Sequence, residues 1–472
     1  MIRRPLVIAL AAAVSLSALL PATASAEDLL QTYELARQAD PQLAAAESNR
    51  LAVKEGAVQT RAAMLPQLDG NAQITKGRSY SRGNTSINAD GSINTGDSDT
   101  ESTTRSTGVN LSQMVYDRGN FTRHKSAKAL SQAADFQLAA SGNDLTTRTS
   151  AAYFNVLIAL ESLAAAEAAE TALKKQFDYA SKRLEVGLAP ITDVHEARAQ
   201  YDSARANTIL ARNAVEDSYQ ALAEITGQEI RNIKGLPKDY QPAMPEATGV
   251  ENWVTTAIEN NPALRAKDLQ VQSTEADVET ARAGHWPRLY LNGSYGDSET
   301  WGERTVLDTT RDIDGRNFGP SVGLTLSVPI FSGGAVQSGV RQALARRDVA
   351  QDELEQQKRA LVRNTRNAYQ TLVASISEVE ARRLALVSAQ AAYDASQVGL
   401  EVGTRTVLDV LQNQNNLFAA QLNFARARYN HLQSRLLLEQ AAGTLDIADV
   451  QDVNRLLTVD TEAQLRPGDV PG

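Results

Sequence analysis

The sequence predicts a mixed α and β protein built from two equivalent halves, each combining very long helices with a pair of strands. Three observations carry this reading: a duplication, helical stretches without breakers, and four segments of strict alternation. The duplication comes first. Asp40-Pro41-Gln42-Leu43 recurs as Asn261-Pro262-Ala263-Leu264, and Leu65-Pro66-Gln67-Leu68 as Trp286-Pro287-Arg288-Leu289, both at an offset of 221. Leu111-Ser112 matches Leu326-Ser327, and Val115-Tyr116 matches Ile330-Phe331, at 215. Leu184-Glu185-Val186-Gly187 matches Leu400-Glu401-Val402-Gly403, Asp193-Val194 matches Asp409-Val410, and Gly227 matches Gly443, at 216. Offsets this steady mark an ancestral duplication with a period far longer than a solenoid repeat. Each half therefore reads helix, strand, strand, very long helix, short break, helix.

The helices are legible from what they lack. Val340 to Val398 holds neither Gly nor Pro over 59 residues, which as one helix would extend about 90 Å at 1.5 Å per residue. Leu361, Ala368, Leu372, Ile376, Val379 and Leu386 fall at spacings of three, four and seven, a packed helical stripe. A pattern of that length is expected of a coiled coil. The first half repeats it from Asn120 to Val186, with Gly142-Asn143 as a local irregularity.

The strands are shorter. Val322, Leu324, Leu326, Val328 and Ile330 alternate with Gly323, Thr325, Ser327, Pro329 and Phe331. Leu68, Gly70, Ala72 and Ile74 alternate with Asp69, Asn71, Gln73 and Thr75. Val109, Leu111 and Val115 share one parity, broken by Gln113, and Leu289, Leu291 and Tyr295 give a looser fourth case. Such alternation suits a transmembrane β-strand and equally a soluble antiparallel sheet with one wet face. Long polar loops, expected at Lys76 to Arg105 and Asp297 to Asn317, favour the first. Four strands cannot close a membrane barrel, whose smallest form has eight. An open edge in lipid costs several kcal/mol per unsatisfied group, so a barrel would need two, three or four chains.

Residues 1–26 read as a secretory signal peptide: Arg3 and Arg4, an apolar run from Leu6 to Leu20, then Ala24-Ser25-Ala26. Its removal near Glu27 takes away two arginines and moves the formal charge from −9 to −11. No later stretch reaches the roughly 18–20 apolar residues of a membrane helix. The chain has no cysteine, which excludes disulfides and a lipid-modified N-terminal cysteine. The acidic balance and the absence of a basic stripe speak against nucleic acid. His124, His195, His285 and His431 show no metal-ligand spacing, and Ser332-Gly333-Gly334 lacks the Lys-Ser/Thr of a phosphate loop. No enzyme, cofactor or metal is expected.

Ser150 to Leu157 (SAAYFNVL), Val186 to Val194 (VGLAPITDV) and Val402 to Leu411 (VGTRTVLDVL) carry a further resemblance. With the duplication and the signal peptide, the chain resembles TolC-type outer-membrane efflux proteins over essentially its mature length. The resemblance implies a long α-helical coiled-coil barrel continuous with a small transmembrane β-barrel, four strands per chain and twelve in a homotrimer. It implies a Gram-negative outer-membrane location with a periplasmic extension. It also implies a periplasmic adaptor and an inner-membrane transporter as partners, besides outer-membrane lipid, in efflux or type I secretion. The domains would be the signal peptide 1–26, a first repeat 27–227, an inter-repeat connector 228–250 in an equatorial belt, a second repeat 251–445, and a C-terminal segment 446–472 with a loose tail.

By the same resemblance, polar links near the helix turns close the tunnel's periplasmic end. The matching positions are Asp193 in the first repeat, with Leu400 and Arg405 in the second. Asp409 would form a carboxylate ring with Gln412 one turn on. Leu400 stands where the family pattern has a tyrosine, and Gln412 where it has a second aspartate. Local context alone reads Asp193 and Asp409 as helix-start carboxylates meeting the dipole, and Gly187 and Gly403 as helix-ending glycines. An exit duct gated at these turns is the expected function. A periplasmic coiled-coil adaptor without a pore and a stand-alone porin are the competing readings.

Overall fold

A computed structural model describes residues 28–87, 91–237, 239–242, 249–306 and 309–461. The expected signal peptide and the end of the C-terminal segment lie outside the described residues, as do 238 and 243–248 in the connector. The chain forms two compact units: residues to 48, 136–265 and from 356 onward are the first, and 49–135 with 266–355 the second. No helix among the described residues is long and apolar enough to cross a membrane.

The elements run α1 (Leu29–Ala39), α2 (Pro41–Ala62), β1 (Gln67–Ile87), β2 (Ile93–Tyr116), α3 (Arg118–Glu185), α4 (Ile191–Thr226) and β3 (Lys234–Gly235). The second half repeats them as α5 (Val250–Asn260), α6 (Pro262–Arg282), β4 (Arg288–Val306), β5 (Thr309–Ser327), α7 (Ala335–Glu401) and α8 (Val407–Ala442), followed by α9 (Ile447–Leu456) and β6 (Val459–Asp460). α3 has 68 residues and α7 has 67, about 100 Å each. The Gly142-Asn143 irregularity does not interrupt α3. The Thr146 and Thr147 hydroxyls donate to the Gly142 and Asn143 carbonyls at 3.1 and 3.3 Å, back-bonds that helices accept. Along α7 the expected stripe is the packed one: Leu361, Leu372 and Val379 are buried.

The first unit holds the main core. Tyr153, Phe154, Val156 and Leu157 of α3 pack with Tyr219 and Leu222 of α4, Tyr429 and Leu432 of α8, and Val450 and Val453 of α9. The short strands close over it: Lys234 pairs with Asp460, and the Tyr153 hydroxyl donates to the Lys234 carbonyl at 2.8 Å. The two repeats build the same corner with different chemistry. Asp40 accepts from the Leu43 amide at 2.7 Å and from Arg148 at 3.1 Å. Asn261 accepts from the Leu264 amide at 3.1 Å and donates to the Ala441 carbonyl at 3.2 Å.

At the end of α8 a buried carboxyl gives a pH signature. Burial and the nearby Asp449 raise Glu439 to about 7, although Arg435 Nε donates to it at 3.3 Å. Its Oε2 is buried without a hydrogen-bond partner among the described residues. A folded pKa above the unfolded value means the stabilising contribution is complete below about pH 4.5 and lost as pH rises through 7. Glu439→Gln is expected to be more stable than wild type above pH 7, by roughly 2–3 kcal/mol. The gain should vanish below pH 4.5, as read from denaturation midpoints across pH.

The second unit contains one antiparallel sheet of order β1-β2-β4-β5. It corrects the expected loops. Lys76 to Arg105 and Asp297 to Asn317 are mostly paired strand: Lys76 faces Thr103, Arg78 faces Glu101, Glu299 faces Arg316 and Glu303 faces Asp312. β5 also stops at Ser327, short of Val328 and Ile330. The polar segments were mistaken for loops because Ser, Thr, Asn and charge dominate both. Here most of the charges sit on one face, several in cross-strand pairs, Lys76 with Glu101 at 2.7 Å and Arg105 with Glu299 at 3.0 Å, an arrangement that supports a sheet. Ser332-Gly333-Gly334 turns the chain after β5 into α7, with both glycines at positive φ.

Candidate functional site at the helix turns

Two turns link antiparallel long helices, α3 to α4 and α7 to α8. Each is made by a glycine in the left-handed region, Gly187 at φ 73 and Gly403 at φ 77, with open space around both. The amide after each glycine returns to the helix: Leu188 N to Arg183 O at 2.8 Å and Thr404 N to Gly399 O at 2.8 Å. These six-to-one bonds satisfy carbonyls that a helix end leaves orphaned. Pro190 then starts α4 with its fixed φ, and Thr406 starts α8.

Asp193 lies half-buried in the first turn of α4, and Pro190 offers that helix no side-chain cap. Leu400 is half-buried at the end of α7, and Arg405 is exposed in the turn. The Arg405 stem covers Gly399, where an added Cβ would meet Arg405 Cγ at 2.6 Å. Among the described residues of one chain no ion pair joins Asp193 to Arg405. Gln412 is exposed and donates to Asn416 at 3.2 Å along α8.

Asp409 does cap α8. Its Oδ2 accepts from the Thr406 amide and hydroxyl, each at 2.9 Å, while Thr406 Oγ1 accepts from the Asp409 amide at 3.2 Å. The Thr406 backbone and hydroxyl bonds, with Arg405 nearby, hold the Asp409 carboxyl below its usual value, so it is ionised at neutral pH.

Sequence reasoning missed two partners. Thr406, legible as a T-x-x-D capping box, fixes Asp409. Arg183 Nη2 donates to the Leu188 carbonyl at 3.0 Å across the first turn, a contact set by turn geometry that no spacing announces. Both turns also expose aliphatic side chains. Val186, Leu188 and Val402 are each 68 % exposed, and Ile191 and Leu408 are also exposed.

A helix of about 100 Å in each repeat, exposed turns and a four-stranded antiparallel sheet are the features of a channel-type protein. The outer membrane efflux protein family model matches residues 32–228 and again 253–444, one copy in each repeat. The chain is 34% identical over 435 residues to the outer membrane protein TolC of Vibrio cholerae, covering 92% of this chain and 94% of that one. It is 28% identical over 437 residues to the alkaline protease secretion protein AprF of Pseudomonas aeruginosa, covering 92% and 88%. A crystal structure of a membrane protein from Pseudomonas aeruginosa has the same fold, with TM-score 0.72 and 21% identity over 89% of this chain and 91% of that one. This chain belongs to the outer membrane efflux protein family. It is an outer-membrane protein of a family of channels, not of enzymes.

Proposed function

We propose that three copies of this chain form a gated exit duct: a twelve-stranded membrane barrel over a helical tunnel that crosses the periplasm. The observation that carries this is the open four-stranded sheet. Its β1 and β5 edges have no partner among the described residues, and an open edge in lipid leaves backbone groups unsatisfied. One parity, Phe318, Pro320, Val322, Leu324 and Leu326, continuing to Val328 and Ile330, makes an aliphatic face, with Val322 80 % exposed. The ten positions from Phe318 to the end of β5 at Ser327 extend about 31 Å at 3.4 Å per step. With a tilt near 45° they would rise about 22 Å, close to the apolar band of outer-membrane barrels.

The connector and C-terminal segment, which join through β3 and β6, form the equatorial belt of the duct. The family's channels work with periplasmic adaptors and inner-membrane transporters. The exposed Val186, Leu188, Ile191, Val402 and Leu408 are the surface on which an adaptor docks. Crosslinks from an adaptor confined to the belt, and absent from these turns, would count against that surface. The name of AprF supports a role in protein secretion beside efflux. A pore-less periplasmic adaptor would have no use for an aliphatic sheet face.

The gate is assigned to the same turns. Asp193, Leu400 and Arg405 would meet between helix pairs, and Asp409 with Gln412 would line the constriction, Asp409 capping its helix at the same time. An exposed Asp–Arg link contributes about 1 kcal/mol or less, a scale that lets a partner open the mouth. Single-channel recording tests both claims. Wild type should show a small conductance, and Arg405→Ser with Asp193→Ala should raise it several-fold. Equal conductances would move the gate elsewhere. No current from inserted protein would remove the duct.

A further inference from the structure

The register of the sheet sorts its side chains by charge, and one row breaks the pattern. On the face that carries the aliphatic band, the upper strands hold Lys76, Arg78, Asp99, Glu101, Arg105, Asp297, Glu299, Glu303, Asp312, Asp314 and Arg316. Four of the basic groups there pair with acids: Lys76–Glu101, Arg78–Asp99, Arg105–Glu299 and Arg316–Asp297.

The opposite face is different in kind. β1 contributes Asn71, Gln73, Thr75, Gly77, Ser79 and Ser81; β2 contributes Ser98 to Ser112 at every second position, all Ser, Thr, Gly or Asn. β4 runs Asn292, Ser294, Gly296, Ser298, Thr300 and Gly302, against Gly323, Ser321, Gly319, Asn317, Gly315 and Ile313 of β5. These groups bond among themselves, Thr104 to Thr300 at 3.0 Å, Asn110 to Asn71 at 3.0 Å and Ser294 to Ser321 at 2.8 Å. Between the base of the sheet and Gly302, the charged members of this face are Asp69 and Arg288, both in the lowest rows.

Near the hairpin end of β4 and β5, Arg304 stands directly opposite Arg311. Arg304 Nε donates to Thr100 Oγ1 at 3.3 Å on the neighbouring strand. Among the described residues neither arginine has an acidic partner. Like charges directly opposite destabilise a strand pair, and the opposite face shows that this sheet pairs its other cations. The pair therefore has no evident use in holding the sheet together.

We propose that Arg304 and Arg311 form an anion-attracting collar at the outer mouth of the duct, acting on anionic groups of solutes in transit. The inference rests on the duct reading, in which the aliphatic face meets lipid and the hydroxyl-lined face meets the lumen. A lumenal position excludes lipid headgroups as the anion. Below the collar the wall is mainly hydroxyls and amides with Ile313 beside Gly302, and it carries charge only in its lowest rows, at Asp69 and Arg288. In a trimer the row would hold six guanidiniums, and rings of Arg set anion preference in pores. Guanidinium also suits carboxylate and phosphate by its planar fork of donors.

The test uses the whole protein in a planar bilayer with inositol hexakisphosphate, a compact polyanion, added to one side at a time. Wild type should be blocked more strongly from one side than from the other. Arg304→Gln with Arg311→Gln should weaken the stronger block by at least about tenfold, a loss of about 1.4 kcal/mol. Arg304→Lys with Arg311→Lys should keep most of it, and Arg78→Gln, on the opposite face one row away, should keep all of it. A conducting glutamine variant that is blocked as strongly as wild type overturns the collar and leaves the duct standing. Loss of block in Arg78→Gln as large as in the double variant also overturns it, because general surface charge would then explain the effect. Inserted wild type that carries no current overturns the duct and the collar together.

Discussion

Arg428→Leu is expected to destabilise the protein by about 3–5 kcal/mol. Arg428 is buried on α8, and its guanidinium donates to Glu161 Oε1 and Oε2 at 2.8 and 3.2 Å and to the Pro237 carbonyl at 3.0 Å. The Tyr429 hydroxyl donates to the same Glu161 oxygen at 3.1 Å. Removing the arginine leaves a half-buried carboxylate facing a hydrophobic core and a carbonyl without its donor. Removing the pair together is a milder change, since no orphaned charge remains. The measurement is thermal unfolding in detergent. Arg428→Leu should lower the midpoint by roughly 10 °C, and Arg428→Leu with Glu161→Leu should recover part of that loss. A double variant no better than the single would show that the arginine's contribution is packing against Phe424 rather than its charge. That contact, with the guanidinium 5.0 Å from the ring centroid, is real in either case.

Gly443→Ala is expected to cost more than Gly227→Ala, although both glycines close helices at φ 72 in matching places of the two repeats. The conformational cost of an L-residue there is about 1–2 kcal/mol and common to both. The surroundings separate them. A Cβ on Gly227 would meet the Ala39 methyl at 2.9 Å, whereas one on Gly443 would meet Asn261 Cα at 2.6 Å and Asn260 C at 2.7 Å. The Ala39 methyl moves only with its own backbone, but Ala39 is exposed at the end of α1 and a shift of a few tenths of an ångström relieves the contact. Backbone at the α5–α6 junction must move as a unit, adding about 1–3 kcal/mol of overpacking. Midpoints for the two variants, taken side by side, decide it: equal losses would mean that the left-handed conformation alone sets the cost.

The helices were legible to within a few residues because Gly187, Pro190, Gly403 and Gly443 punctuate a chain otherwise poor in breakers. The lower strands were legible from aliphatic alternation. Their upper parts were not, because Ser and Thr alternating with Lys, Asp and Glu match a loop by composition. The signal was in the parity: Lys76, Arg78, Glu101, Arg105, Asp297 and Glu299 all fall on the face that continues the aliphatic residues below. At the turns, the positions of Gly187, Gly403, Asp193 and Asp409 could be read directly. What each carboxylate touches could not, since Asp409 binds Thr406 within its own helix start while Asp193 has no such cap. The arginine row near the hairpin ends was invisible for a simpler reason. Arg304 and Arg311 are neighbours only once the β4–β5 register is known.

The strand order also dictates a timetable. β2 pairs with β1 beside it in sequence, but its other edge belongs to β4, and Tyr116 meets Leu289 only after about 170 intervening residues. At synthesis rates of about 5–20 residues per second, that delay is on the order of ten seconds or longer. Throughout it the first hairpin carries a long unpaired edge, the kind of template on which strands of other chains can add. Pairings this distant are slow to find. Until its second half has been made the chain can build only part of the sheet, and its assembly depends on how well that edge is kept apart from other nascent copies.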